Sequence, residues 1–322
     1  MTEEKPLSLV KVIATGGTIA NTPSGRLHAG EVAEVIPELK DVARINIEEI
    51  FRVGSSDITP DRWIIIANRI NELASEKEIN GFVVTHGSNT LEETAYFLHL
   101  AIKTEKPVVL TAAQRQFSTL SSDSPKNFLD AVRVAASPAA AWKGVMTVVN
   151  DEINCGRDVT KRMSYRVQTY TSPDVGALGF VDLNRVTFYR QPLRKHTMAS
   201  EFNVSRLERL PRVDIIYTAS GTDGILIDAA VEHARSDGLV IAVSPTGAPA
   251  PEMKDALNRA AGAGIPVVYA NRGGHDRLRR MLPGEPFIAG DNLNAQKARI
   301  LLMLALTKTK NFVEIQRIFD EY

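Results

Sequence analysis

Two short segments carry groups that could do chemistry. Residues 84–94 read VTHGSNTLEET: a β-branched run ends at Thr85, then His86, Gly87, Ser88 and Asn89 crowd into a small polar loop before a helix pattern. Residues 15–20 read TGGTIA, where Gly16 and Gly17 let the backbone turn sharply and approach a ligand closely, beside the Thr18 hydroxyl. A hydroxyl becomes a nucleophile when a base takes its proton, and neutral lysine is such a base. Lys161, in GRDVTKR, fills that role if the fold brings it to Ser88. Backbone N–H groups at the helix start after Ser88 can hold a substrate carboxylate or a developing oxyanion.

Each feature also has a plainer reading. Thr90 with Glu93 makes a capping box, and Asn89 with Glu92 offers a second register. Both glutamates suit the positive end of a helix. TGGTIA reads equally as a tight turn with Thr18 capping the next segment of chain. It is not G-x-G-x-x-G and lacks G-K-[ST], so a nucleotide site is disfavoured. A lone lysine is ordinarily a solvated surface residue.

The elements that must position these groups alternate between strand and helix. Strands are expected at 9–14, 45–53, 81–85, 108–113 and 144–149. Helices are expected after Thr59-Pro60, over 91–103 and near 125–137. Residues 157–190 break the rhythm and read as extended, turn-rich chain with a hairpin. The stretch 191–212 has no strong period and a proline near each end, which marks a linker. Alternation then resumes with strands at 213–219, 239–244 and 266–271 and helices from 225, near 251–263, 294–306 and 311–321. The expected architecture is α/β: a larger N-terminal domain (1–190) with a parallel-type sheet covered on both faces, and a smaller α/β domain (213–322). In such sheets ligands bind beyond the carboxyl ends of the strands. That rule selects TGGTIA, GSSD (54–57) and THGSNT.

Composition excludes several classes. The 322 residues carry 38 basic and 38 acidic side chains, so nothing steers the chain to nucleic acid or an anionic membrane. The opening MTEEKPLSLVKVIAT has early acids and no long apolar core, so no signal peptide is expected. No apolar run reaches the roughly 18 residues of a spanning helix. Cys155 is the single cysteine, which fits a reducing compartment, most simply the cytoplasm. The six histidines show no paired metal-ligand spacing.

IATGGTIA (13–20), VGSSDI (53–58), GFVVTHGSNTLEETAYFL (81–98), KPVVLTAAQR (106–115), NDEINCGRDVTK (150–161) and LNAQKARILLMLALTKT (293–309) together resemble the bacterial L-asparaginase family, in the family's order and over nearly the whole chain. The resemblance implies an asparaginase-like two-domain fold and a homotetramer of intimate dimers with sites between subunits. It implies no metal and no cofactor. It makes Thr18 the usual nucleophile and places Ser88 where a second catalytic threonine is expected, with Lys161 as that group's lysine. Ser55 matches the serine that binds the substrate's α-carboxylate. Gly17 and Gly87 match glycines around the pocket, and Ala113 lies near the scissile amide.

Four departures bear on function. The family has aspartate at Asn89, usually glutamine at Ser56, and usually a loop tyrosine at Leu27. It also brings a glutamate from the neighbouring subunit; NRGGHDRLRRMLPGEPF (271–287) is shorter and basic, with Asp276 and Glu285 as the available substitutes. The family's aspartate, glutamine and glutamate hold the substrate's α-ammonium, and a buried ammonium without an anionic partner is penalised by several kcal/mol. The expected substrate therefore lacks a free α-amino group or carries it elsewhere. Arg272, Arg277, Arg279 and Arg280 could bind an extra carboxylate or simply form a solvated loop. Losing the aspartate should lower the Lys161 pKa and raise Ser88 as an alternative nucleophile. The expected reaction is hydrolysis of a side-chain amide to carboxylate and ammonia through an acyl-enzyme. The competing readings are a lactone or cyclic-amide hydrolase, a non-catalytic carboxylate-binding protein, and an isomerase on the same scaffold.

Overall fold

The computed structural model describes residues 6–322 except 184, 248, 275 and 279–284. The chain divides into two compact units, Met1–Arg206 and Leu207–Tyr322.

The first unit is built on an eight-stranded sheet. Its spatial order is Arg185–Phe188, Gly179–Asp182, Glu152–Cys155, Val145–Val149, Val108–Thr111, Ile79–Thr85, Leu9–Gly16 and Arg44–Val53. The strands from Arg44–Val53 to Val145–Val149 pair in parallel. The remaining three add on antiparallel. Central strands read as unbroken apolar runs because both faces are covered: Val10, Val12, Ile13, Phe82, Val83, Val84 and Val108–Leu110 are all fully buried. Helices Pro60–Leu73, Leu91–Ala101 and Ser124–Ala136 follow the strands as expected. Residues 157–190 hold two antiparallel pairs rather than one hairpin, Thr160–Lys161 with Tyr170–Thr171 and Gly179–Asp182 with Arg185–Phe188.

The second unit has a four-stranded parallel sheet in the order Val213–Tyr217, Gly238–Val243, Val267–Asn271, Ile288–Ala289. Helices Ile225–Glu232, Pro251–Gly262, Ala295–Leu306 and Phe312–Glu321 complete it. The fold is therefore mixed α/β, with a large N-terminal sheet and a smaller C-terminal domain.

The stretch 191–212, expected as a linker, contains the boundary between the two units, and its first part is anchored to the first unit. Phe202 and Val204 are buried, Thr197–Ala199 forms a 3-10 turn, and Lys103 Nζ donates to the Thr197 carbonyl oxygen at 3.2 Å and to that of Ser200. The Ser200 hydroxyl in turn donates to the Leu100 carbonyl oxygen. Absence of a period concealed this anchoring because single side chains, not a face, make it. The helix from Leu91 ends at Ala101, before the expected Lys103, whose N–H goes to Asn71 Oδ1 at 2.6 Å. Thr59 occupies the N-cap position of helix Pro60–Leu73 without a side-chain cap bond.

Candidate active site

Three loops at the carboxyl ends of adjacent parallel strands stack on one another. The Gly17 N–H donates to the Val53 carbonyl oxygen at 3.1 Å, and the Thr15 hydroxyl to that of Thr85 at 2.7 Å. Gly17 has φ +93, and a Cβ there would lie 2.4 Å from the His86 carbonyl oxygen. Glycine is thus required both for its backbone angle and for the approach of one loop to the next. A Cβ at Gly87 would lie 2.7 Å from Ser55 Cβ and 2.8 Å from its nitrogen. The TGGTIA loop therefore rests on the His86–Gly87 peptide, and Gly87 rests on Ser55.

Side-chain bonds close the stack. The Asn89 N–H donates to Ser55 Oγ at 3.2 Å, and the Thr90 hydroxyl to the Ser55 carbonyl oxygen at 2.8 Å. The capping-box expectation fails here. Thr90 occupies the N-cap position of helix Leu91–Ala101, but its hydroxyl bonds Ser55 instead of the helix backbone. Asn89 is no cap either, since its Oδ1 accepts from Lys161.

Lys161 reaches the loop from the two-residue strand Thr160–Lys161. Its Nζ donates to Ser88 Oγ at 2.8 Å and to Asn89 Oδ1 at 3.0 Å. Burial lowers the Lys161 pKa, while the negative charge of Glu92 opposes the shift. The direction matches the expectation, with desolvation as the leading cause. Tyr170, paired in register with Lys161, donates its hydroxyl to the Ser88 carbonyl oxygen. Burial pushes the Tyr170 phenol up, so it stays protonated and donating. His86 is fully buried and pushed down to about 4.

The remaining sites are placed less tightly. Thr18 is partly buried and opens the 3-10 turn Thr18–Ala20, which Gly17 precedes without a side-chain cap. Among the described residues its hydroxyl makes no hydrogen bond, so Thr18 is not a cap and is not bonded to Ser88 or Lys161. Ser56 shares the turn Ser55–Asp57 but is exposed, with no side-chain partner among the described residues. Ala113 is buried in the core cluster. Leu27 packs on that same cluster and brings no hydroxyl. In the second unit Arg272 donates to the Thr218 carbonyl oxygen at 2.6 Å, and Arg277 pairs with Asp291 at 2.6 Å. Asp276 Oδ1 accepts the Arg277 N–H at 2.7 Å. Arg279 and Arg280 lie outside the described residues.

Tyr170 was not legible as a site residue, because it reaches the Ser88 carbonyl oxygen from 82 positions away and no motif spacing records that.

Hydroxyl groups and one lysine are gathered beyond the carboxyl ends of the parallel strands of an α/β protein. Residues 9–194 match the family model "Asparaginase, N-terminal" and residues 212–319 match "Glutaminase/Asparaginase C-terminal domain". The chain belongs to the asparaginase family. It is 40% identical to L-asparaginase 2 of Bacillus subtilis, covering 99% of this chain and 88% of that one. It is 34% identical to the glutaminase-asparaginase of Pseudomonas fluorescens biotype A, covering 98% and 91%. The crystal structure of a probable cytoplasmic L-asparaginase from Campylobacter jejuni is similar with a TM-score of 0.94 and 39% identity, covering 98% of this chain and all of that one.

Proposed function

We propose that this protein is an amidohydrolase that converts a side-chain amide to a carboxylate and ammonia through a covalent acyl-enzyme. The Lys161–Ser88 contact carries the reading: a half-buried lysine with a lowered pKa, bonded to a hydroxyl, can accept and return a proton. In this reading the Thr18 oxygen attacks the amide carbonyl carbon. Ser88 and Lys161 carry its proton to the leaving nitrogen, which departs as ammonia. Water then attacks the ester carbonyl, regenerating the hydroxyl and releasing the acid. Gly17 and Gly87 keep the loops close, and Ser55 holds the substrate's carboxylate. Ser56 and Ala113 are assigned to the substrate pocket by the family resemblance alone.

The substrate has the asparagine skeleton without a free α-amino group. Asn89 supports this, because a neutral amide stands where the family uses aspartate, and its Oδ1 is occupied by Lys161. A second reading makes Ser88 the nucleophile and Lys161 its base, favoured by their direct bond. The working form is a homotetramer of intimate dimers in the cytoplasm. One cysteine fits that compartment.

Ammonia release from L-asparagine and from succinamic acid tests the substrate assignment. Faster release from succinamic acid is expected. Clearly faster release from L-asparagine would mean that other residues hold the ammonium. Hydrolysis of neither would favour lactones, cyclic amides or carboxylate binding without turnover.

A further inference from the structure

The inner side of the Ser88 loop is held by a chain of buried side chains that take no part in the chemistry above. Trp63 Nε1 lies 2.8 Å from Thr94 Oγ1, Thr94 Oγ1 lies 2.9 Å from His86 Nε2, and His86 Nδ1 lies 2.8 Å from the Gly87 carbonyl oxygen. All three side chains are buried, and Trp63 stacks on Phe97 with ring centroids 5.4 Å apart.

With a neutral His86 ring, the two ends determine every proton in between. An indole N–H only donates and a peptide carbonyl only accepts. Nδ1 of His86 therefore carries the hydrogen and gives it to Gly87. Nε2 accepts from the Thr94 hydroxyl, whose oxygen accepts from Trp63. Reversing either inner member would set two donors or two acceptors face to face in the interior, which is costly.

In a planar trans peptide the C=O and N–H point in opposite directions. Binding the Gly87 carbonyl to His86 turns the Ser88 N–H away from His86. Among the described residues that N–H donates to no protein acceptor. Tyr170 holds the next carbonyl, that of Ser88.

We propose that Trp63, Thr94 and His86 are positioning residues that lock one His86 tautomer and thereby aim the Ser88 N–H at the substrate carbonyl oxygen as it gains charge. This rests on the hydrolase reading above. None of the three touches substrate.

Thr94→Val and Thr94→Ser separate this role from simple packing, with ammonia release measured on an amide that the unsubstituted protein hydrolyses. Valine keeps the shape and removes the hydroxyl; serine keeps the hydroxyl. Thr94→Val should lower kcat by about tenfold or more, with KM within about twofold, and Thr94→Ser should restore kcat to within about threefold. Nitrogen-15 spectra of histidine-labelled protein should show His86 as the Nδ1–H tautomer, and that pure pattern should be lost in Thr94→Val. Unchanged kcat per folded Thr94→Val enzyme, or an Nε2–H tautomer in the unsubstituted protein, overturns the proposal. If Thr94→Val does not fold, Trp63→Phe removes the N–H while keeping a ring on Phe97, and the same fall in kcat is expected. If the unsubstituted protein releases no ammonia from any amide, the hydrolase reading fails, and the aiming role fails with it.

Discussion

Lys161 and Ser88 are 73 positions apart in the chain, yet Lys161 Nζ donates to Ser88 Oγ at 2.8 Å and to Asn89 Oδ1 at 3.0 Å. A lysine that donates to a neutral amide lacks the carboxylate that would hold it protonated. Burial therefore lowers its pKa, opposed only by the charge of Glu92. Activity should rise with pH through this lowered pKa, as the neutral amine becomes available. Lys161→Met should remove that limb of the kcat profile and lower kcat by about 10²–10⁴. A pH profile unaltered by the substitution would exclude Lys161 as the proton carrier.

Thr18 and Ser88 can be told apart as nucleophiles. Thr18→Ala should lower kcat by about 10³ or more, and no acyl-enzyme should accumulate in it. Ser88→Ala should retain a measurable burst of acyl-enzyme with slowed turnover. Full activity in Ser88→Ala would exclude the serine–lysine alternative.

Asn89→Asp should restore an anion beside Lys161. The Lys161 pKa should move up, shifting the rising limb of the rate profile to higher pH. Turnover of L-asparagine relative to succinamic acid should rise about tenfold, equivalent to about 1.4 kcal/mol. An unchanged ratio would remove Asn89 from the specificity argument.

His86 makes stability depend on acidity. Its pKa falls from 6.5 to about 4 on folding because burial disfavours the cation. The folded state thus refuses a proton that the unfolded chain accepts. The contribution is fully present above pH 6.5, is lost as pH falls towards 4, and is flat below that. At 1.36 kcal/mol per unit the loss is on the order of 3 kcal/mol. Urea unfolding at pH 7 and pH 4.5, comparing the protein with His86→Gln, measures it. An equal acid dependence in both would sink the assignment.

Gly17→Ala should be severe for a small change. The positive φ and the 2.4 Å approach of a Cβ to the His86 carbonyl oxygen would force the TGGTIA and Ser88 loops apart. Backbone strain of about 1–3 kcal/mol is expected, with kcat down about a hundredfold or more. Gly30→Ala, in helix Ala29–Glu34 where nothing lies within 4 Å of the added carbon, is the control and should leave kcat unchanged, with thermal stability equal or slightly raised. Equal effects at the two positions would refute the stacking argument.

Apolar runs such as those around Val10, Phe82 and Val108 determined the parallel sheet by themselves, because a strand buried on both faces has no polar alternation to show. Turn glycines and hydroxyls at the ends of those runs likewise marked the three loops, since ligands bind where parallel strands end. Periodicity did not show how Thr197, Ser200, Phe202 and Val204 anchor the first part of the 191–212 stretch, because individual contacts hold them. It misassigned Thr90, whose local pattern fits a cap but whose hydroxyl found the Ser55 carbonyl oxygen across the loop stack. Local propensity counts only near neighbours, and a side chain bonds whatever acceptor the fold brings closest. The pairing of Lys161 with Ser88, the hold of Tyr170 on the Ser88 carbonyl and the Trp63–Thr94–His86 chain join residues from separate elements. Only the tertiary structure decided them, because hydrogen bonding is a matter of about three ångströms in space and has no counterpart in sequence separation.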